Sequence, residues 1–437
     1  MMPDPTAPGG PVASMPSVLL VTCAFGPSRR VGARRPERMA RHLTARGWKV
    51  TVLTLRPEYV PPLDPALRIV GEFEQIATHA LMPRRLAGWT SGLLRSRPPA
   101  VPVVQPAAVA RPARGGLLAA VAPALLGVVH ATEIPDEWIG WWPFARLAMR
   151  GRRFDVVLGT VPPFSTAVIA RDLARQMQAR LVLDYRDPWT EVVAATGTRS
   201  ESRVALYRKI ENACLADADL VLGVSPSICD NIRKHARCPV DLLTNGYVPR
   251  TGAAPRLAAG GPPVLTYAGS LAYGRDLTAV FQALALDRAP TWRVEYAGVQ
   301  GAGVQAQAVA LGFNGVVDDQ GELDLEDALA ALDRATVAVV LVGPIYAYGI
   351  PAKIFDIISR GKPILLIGPK GCDAARLVER HGLGWVHEPA DITGIAATLR
   401  RAAAGTVPVS RDIEQLRVDV VMDRLDVHLR ALLRAAA

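Results

Sequence analysis

Tyr348-Gly349-Ile350-Pro351-Ala352-Lys353-Ile354-Phe355-Asp356 runs on to Ser359-Arg360-Gly361-Lys362-Pro363-Ile364-Leu365-Leu366-Ile367, and reads as a turn, a helix and a buried strand. Gly349 admits a close approach of backbone. Pro351 suits the first helical position, where its missing N–H costs nothing. Gly361 ends the helix, and Pro363 precedes an apolar strand. The helix start offers free N–H groups and a positive dipole end, which suits a phosphate. Lys353 and Asp356 lie three apart and share a helix face. One could meet a phosphate and the other a ribose hydroxyl. The same residues also fit an ordinary αβ unit with a capped helix.

Working outward, this unit is the last of a series. Strands are expected at Val264 to Ser270, Trp292 to Ala297, Val316 to Asp318, Val337 to Val342 and Ile364 to Ile367, with helices between them. An earlier series begins at Ser17 to Cys23, with a helix near Arg35 to Arg46 and a strand at Lys49 to Thr54. It resumes with strands at Asp155 to Thr160, Arg180 to Asp184, Ala218 to Ser225 and Asp241 to Thr244. Alternating strands and helices argue for parallel sheets. The expectation is α/β: two doubly wound, Rossmann-like domains facing a central cleft. The first spans 17–249 and the second 264–408. A Pro-, Gly- and Ala-rich linker, 250–263, joins them, and a helix within 409–437 ends the chain. Residues 1–16 read as a disordered tail without a secretory pattern. The first loop has Gly26 and Gly32 but no G-x-G-x-x-G, so dinucleotide binding is poorly supported.

The chain has 437 residues and a net charge of +10. Such charge suits nucleic acid, acidic membranes or phosphorylated substrates. No nucleic-acid module accompanies it, so nucleic acid is not expected as a partner. The five cysteines are scattered and show no zinc spacing, as in a reduced cytoplasmic protein. No metal site and no cofactor are expected. Residues 83–114 carry six arginines, six prolines and no acid, and read as a basic insertion. The apolar stretch Leu117 to Val129 follows, too short to span a bilayer. Together they suggest either contact with an anionic membrane surface or a mobile loop ahead of a core helix.

Ligands in such sheets sit beyond the carboxyl ends of the strands. Arg34, Arg38 and Arg41 share a helix face there, as an anion-holding surface or a solvated one. Asp184 and Asp187 flank Arg186. Asp187 is read as a carboxylate that orients or deprotonates a hydroxyl. Asp184 is read as a structural partner of Arg186. Gly269-Ser270 with Arg275 could bring backbone N–H groups and a cation to a phosphate. Asp217-Ala218-Asp219 sits where a helix yields to a strand, so a turn role is expected rather than metal binding.

These segments resemble the GT-B glycosyltransferases of family four. The resemblance is carried by Gly32-Ala33-Arg34-Arg35, Glu133-Ile134-Pro135-Asp136 with Trp142, Val161-Pro162-Pro163, Asp184-Tyr185-Arg186-Asp187-Pro188-Trp189, Asn245-Gly246-Tyr247, Tyr267-Ala268-Gly269-Ser270 and Gly349 to Gly361. A bacterial subgroup carries the Asp-x-Arg-Asp-Pro-Trp motif. The resemblance implies transfer of a sugar from a nucleotide donor, usually with retention. Gly269, Ser270, Arg275, Lys353 and the backbone of Gly349, Ile350 and Pro351 would hold the donor diphosphate. Asp356 would take the ribose, and Gly32 would lie close to the phosphates across the cleft. Arg34, Arg35, Pro163, Arg186 and Asp187 would face the acceptor. Asp187, Arg275 and Lys353 are the candidate catalytic residues. Two departures stand out. The first acid of the family's acidic pair falls at Gly349, and the usual histidine of the first domain is absent around Thr160 to Pro163. The resulting expectation is a cytoplasmic glycosyltransferase, resting at most on the inner membrane face. It would act on a carbohydrate or lipid-linked acceptor in surface polysaccharide or glycolipid assembly. A catalytically inactive binding protein of the same fold and a nucleotide-sugar epimerase are the alternatives.

Overall fold

The computed structural model describes residues 15–64, 71–82, 133–195, 197, 199–252, 261–271, 274–286 and 292–435. The basic insertion, the apolar stretch after it and much of the linker lie outside the described residues, as does the N-terminal tail up to residue 14.

Two sheets organise the chain. The first contains β1 (Ser17–Val21), β2 (Lys49–Leu55), β3 (Glu74–Thr78), β4 (Val156–Val161), β5 (Arg180–Tyr185), β6 (Leu220–Gly223) and β7 (Val240–Leu242), in the order β3-β2-β1-β4-β5-β6-β7. The second contains β8 (Val264–Ala268), β9 (Arg293–Ala297), β10 (Val317–Asp319), β11 (Val337–Leu341), β12 (Ile364–Ile367) and β13 (Gly384–His387), in the order β10-β9-β8-β11-β12-β13. Each neighbouring pair runs parallel. Helices cover both faces, which is why strands such as Val156–Val161 and Ile364–Ile367 are apolar throughout. Strand order reverses beside β1 and β4 in one sheet and beside β8 and β11 in the other. These are the two switch points where a doubly wound sheet opens a crevice for ligands.

β3 and β13 were not expected from sequence. Both are edge strands: Glu74–Thr78 is mostly exposed and Gly384–His387 only half-buried, so neither carries a buried apolar run. The first helix begins at Val31, ahead of the expected start, and ends at Ala45, with Gly47 in the left-handed region at φ +82°. The last helix, Val418–Arg434, returns to the first domain. Its Val421, Leu425 and Leu429 pack with Met39 and Leu43 of the first helix against Val18, Leu20 and Val52. Each such fully buried side chain contributes about 1.5–3 kcal/mol. Polar edges fix the register: Trp48 Nε1 donates to Asp426 at 2.6 Å, and His42 Nε2 lies 2.8 Å from Asp423.

Candidate functional site between the two sheets

The C-terminal ends of the two sheets face a cavity of about 270 Å³. From the first domain it is lined by Arg34, Arg35, Arg38, Arg186 and Asp187. From the second come Arg275, Tyr346, the Gly349–Ala352 loop and Asp356. Five arginines and two carboxylates therefore share one small space, and how each charge is satisfied decides what the space can bind.

Arg35 is only 4% exposed and fully engaged. Its Nη2 donates to Asp184 Oδ1 at 2.7 Å and its Nε to Oδ2 at 2.8 Å. It also donates to the carbonyls of Leu243 at 2.7 Å and Thr244 at 3.0 Å, and to Asn245 Oδ1 at 3.2 Å. This side chain pins the first helix to the end of β5 and to the segment after β7. The partner of Asp184 is thus Arg35, not its sequence neighbour Arg186. The expected acceptor contact from Arg35 meets a guanidinium already spent on the protein.

Arg186 turns the other way. Its Nη1 donates to the Gly32 carbonyl at 3.2 Å and its Nη2 to the Pro162 carbonyl. A Cβ on residue 32 would lie 2.8 Å from Arg186 Nη1, so that glycine makes room for the guanidinium. Burial pushes the Arg186 pKa below its ordinary value, against the pull of Asp184 and Asp187. Asp187, by contrast, lines the cavity, and burial raises its pKa although Arg186 opposes the shift. Two residues on, Trp189 is buried and stacks on Phe164 with ring centroids 4.8 Å apart.

The Pro-Asp…Trp element has a structural task. Asp136 accepts from Phe164 N at 2.6 Å, Ser165 N at 3.0 Å and Trp138 N at 3.0 Å, and from the Ser165 hydroxyl. It caps the helix Ser165–Met177 by taking the N–H groups of its start. Pro163 stands at this turn and does not line the cavity.

In the second domain, Lys353 Nζ donates to the Ala268 carbonyl at 2.6 Å and lies 4.4 Å from the Tyr267 ring. Gly269 has φ +133°, and a Cβ there would sit 2.6 Å from Lys353 Nζ. The backbone bend at Gly269 and the lysine therefore share one space. Burial, and then the nearby Arg275, lower the Lys353 pKa to about 8. Arg275 Nη2 donates to Ser270 Oγ at 3.2 Å, and its guanidinium lies 5.8 Å from the Tyr346 ring centre. Arg275, Lys353, Gly269 and Ser270 form one cluster at the end of β8, beside the loop Gly349–Pro351.

The helix of this unit is Lys353–Ser359, two residues later than Pro351 led us to expect. Ile354 N bonds Pro351 O at 3.0 Å and Phe355 N bonds Ala352 O at 3.1 Å, so the chain enters through a tighter turn first. Ile350 is buried in the domain core at the edge of the cavity. The nearest atom to a Cβ built on Gly349 is Tyr346 O at 3.7 Å, so no close packing requires a glycine there. Asp356 shares the helix face with Lys353 but points across the cleft: Arg34 Nη1 lies 3.1 Å from its Oδ2 and 3.5 Å from its Oδ1.

Asp217 pairs with Arg171 and, at 2.7 Å, with Arg175. Asp219 pairs with Arg180 at 2.6 Å, so both acids of that short motif are structural. Sequence reasoning did not single out Tyr346 and Asn245 as cavity residues. Asn245 entered the sequence reading only as part of the Asn245-Gly246-Tyr247 stretch and Tyr346 not at all, and only the fold carries them to the cavity.

Residues 32–246 match the family of the glycosyl transferase 4-like domain. Among solved structures, the chain is similar to a sucrose-phosphate synthase from Thermosynechococcus elongatus. The identity is 15% and the TM-score 0.62, over 96% of this chain and 100% of that one. It is also similar to the lipopolysaccharide outer core galactosyltransferase WaaB, at 14% identity and TM-score 0.56, over 95% of this chain and 99% of that one. A third likeness is to Anabaena Alr3699/HepE in complex with UDP-glucose, at 14% identity and TM-score 0.50, over 95% and 99%. No curated protein matches in sequence.

The chain has the two-domain GT-B fold, and it is a glycosyltransferase.

Proposed function

We propose that this enzyme moves a sugar from a nucleotide-diphosphate donor to a hydroxyl acceptor, with retention, in the assembly of a surface polysaccharide or glycolipid. The observation that carries the reading is Arg275 and the Gly349–Pro351 loop on the wall of an interdomain cavity, with Lys353 just behind that wall, bonded to the Ala268 carbonyl beside Gly269. A diphosphate seated there would meet two positive charges as the bond from the anomeric carbon to its phosphate oxygen breaks. That is where negative charge develops, and fixed cations stabilise it without a metal. The solved neighbour bound to UDP-glucose has this fold, which supports a nucleotide-sugar donor. Asp356 would take the ribose hydroxyls. Across the cavity, Asp187 would orient the acceptor hydroxyl and assist loss of its proton, while the new carbon–oxygen bond forms. Its raised pKa suits a proton acceptor better than an ordinary surface carboxylate would. Among the described residues no helix is long and apolar enough to cross a membrane. The arginines of 83–114 support a peripheral position at the inner membrane face and a lipid-linked acceptor.

Thermal stabilisation against UDP-, GDP-, ADP- and TDP-sugars tests the donor assignment. One nucleotide class should raise the melting temperature, and Lys353→Ala and Arg275→Ala should each abolish the rise. A rise that survives in both variants would place the donor elsewhere. No rise with any nucleotide sugar would overturn the reading.

A further inference from the structure

Two ion pairs join the first loop and helix to the second domain among the described residues. Arg29 meets Asp324 at 3.4 Å, and Arg34 meets Asp356 at 3.1 Å. Only the second lies in the cavity. It also occupies the carboxylate to which the proposed function assigns the ribose. Arg34 Nη1 reaches both oxygens of Asp356, the same two acceptors that a pair of vicinal hydroxyls would use. Arg35 is anchored on Asp184 and Arg38 Nη1 donates to the Gly246 carbonyl at 3.0 Å, so neither neighbour holds Asp356 by a hydrogen bond.

We propose that Arg34 is an internal competitor for the nucleoside: it holds Asp356 in the empty cleft, and a ribose that uses this carboxylate must displace it. The inference rests on the donor reading above and extends it, because it makes a residue of the first domain set the nucleoside affinity of the second. Both side chains are about one-quarter exposed, at 25% and 24%, so the pair is screened by salt and its hold is modest. The Arg34 guanidinium released in this exchange stays at the cavity wall, where the donor diphosphate supplies a new anion.

The test uses the full-length protein and free nucleosides (uridine, guanosine and adenosine), which carry the ribose without phosphate. Binding is read by saturation-transfer NMR titration. Arg34→Met keeps the side-chain length and removes charge and donors. It should bind the preferred nucleoside about three- to five-fold more tightly than the natural chain. Raising KCl from about 50 to about 500 mM should strengthen binding to the natural chain and leave Arg34→Met unchanged. Arg29→Met, which removes the other cross-domain pair, should show no tightening. Equal or weaker nucleoside binding by Arg34→Met, with Asp356→Asn still deficient, would overturn the competition and leave the ribose assignment standing. Unchanged binding by Asp356→Asn would overturn both. The salt response of the natural chain needs no variant to fold, and a response absent or of opposite sign also overturns the competition.

Discussion

Arg35→Met separates a structural role from an acceptor-binding one. The substitution keeps the length of the side chain but leaves Asp184, which is 0% exposed, without its cation. Breaking one side of a buried ion pair costs about 3–5 kcal/mol, because the remaining charge stays out of water. The loss extends further, since the carbonyls of Leu243 and Thr244 also lose their donor. A domain of this size shifts its melting temperature by about 2–4 °C per kcal/mol, so a fall of about 6–20 °C is expected in a calorimetric scan. The transition that falls should be that of the first domain. Its tryptophans Trp48, Trp141 and Trp189 are buried, and their fluorescence reports it once Trp292 and Trp385 of the second domain are replaced by phenylalanine in both proteins compared. Arg35→Met with Asp184→Leu should recover much of the loss, because an apolar pair can replace a buried ionic one. A single variant that melts within about 2 °C of the natural chain, yet loses affinity for acceptor, would refute this reasoning. It would return Arg35 to the acceptor surface.

The lysine makes a pH prediction. Lys353 is held at about 8 in the folded protein, below the ordinary lysine value near 10.4, so the unfolded chain binds the extra proton between those pH values. Stability should therefore rise with pH through that window relative to Lys353→Met, as followed by urea midpoints at about pH 7 and about pH 10. The two glycines should differ. Gly32→Ala brings its Cβ to 2.8 Å from Arg186 Nη1, the tip of a side chain that must give up its place on the Gly32 and Pro162 carbonyls, and should cost about 1 kcal/mol. Gly349→Ala meets nothing closer than 3.7 Å and should stay within about 0.5 kcal/mol. Calorimetry on both variants checks the contrast, and a reversed order would refute the packing argument.

The fold was legible because both sheets are covered on both faces, which writes apolar runs such as Val156–Val161 and Val337–Leu341 into the sequence. Edge strands leave no such run, and β3 and β13 escaped for that reason. At the site, residue types could be read but partners could not. The stretch Asp184 to Trp189 suggested a local pairing of Arg186 with Asp184, whereas Asp184 is bound by Arg35, 149 positions away. Local spacing carries no information about such a contact, which depends on where the first helix crosses the end of β5. Lys353 and Asp356 do share a helix face, as the period requires. Yet one turns to Ala268 of its own domain and the other to Arg34 of the opposite one. The helix sits at the boundary, so its two polar residues belong to different surroundings.

Charge accounting in the cavity bears on the missing acid at Gly349. The lining carboxylate Asp356 is paired with Arg34. Asp184, just behind the wall, is paired with Arg35. Among the described residues Asp187 is the lining carboxylate with no hydrogen bond or ion pair. Residue 349 has space for a side chain and carries none. An acid at 349 would have placed a second unpaired negative charge near Arg275, weakening the field available to a diphosphate. With glycine there, the wall around Arg275 gains no further negative charge, and in the proposed reaction proton transfer would fall to Asp187 on the opposite wall. On the proposed function, the division would follow from the pairing: the second domain would supply positive charge where the leaving group departs, and the first the base where the acceptor arrives.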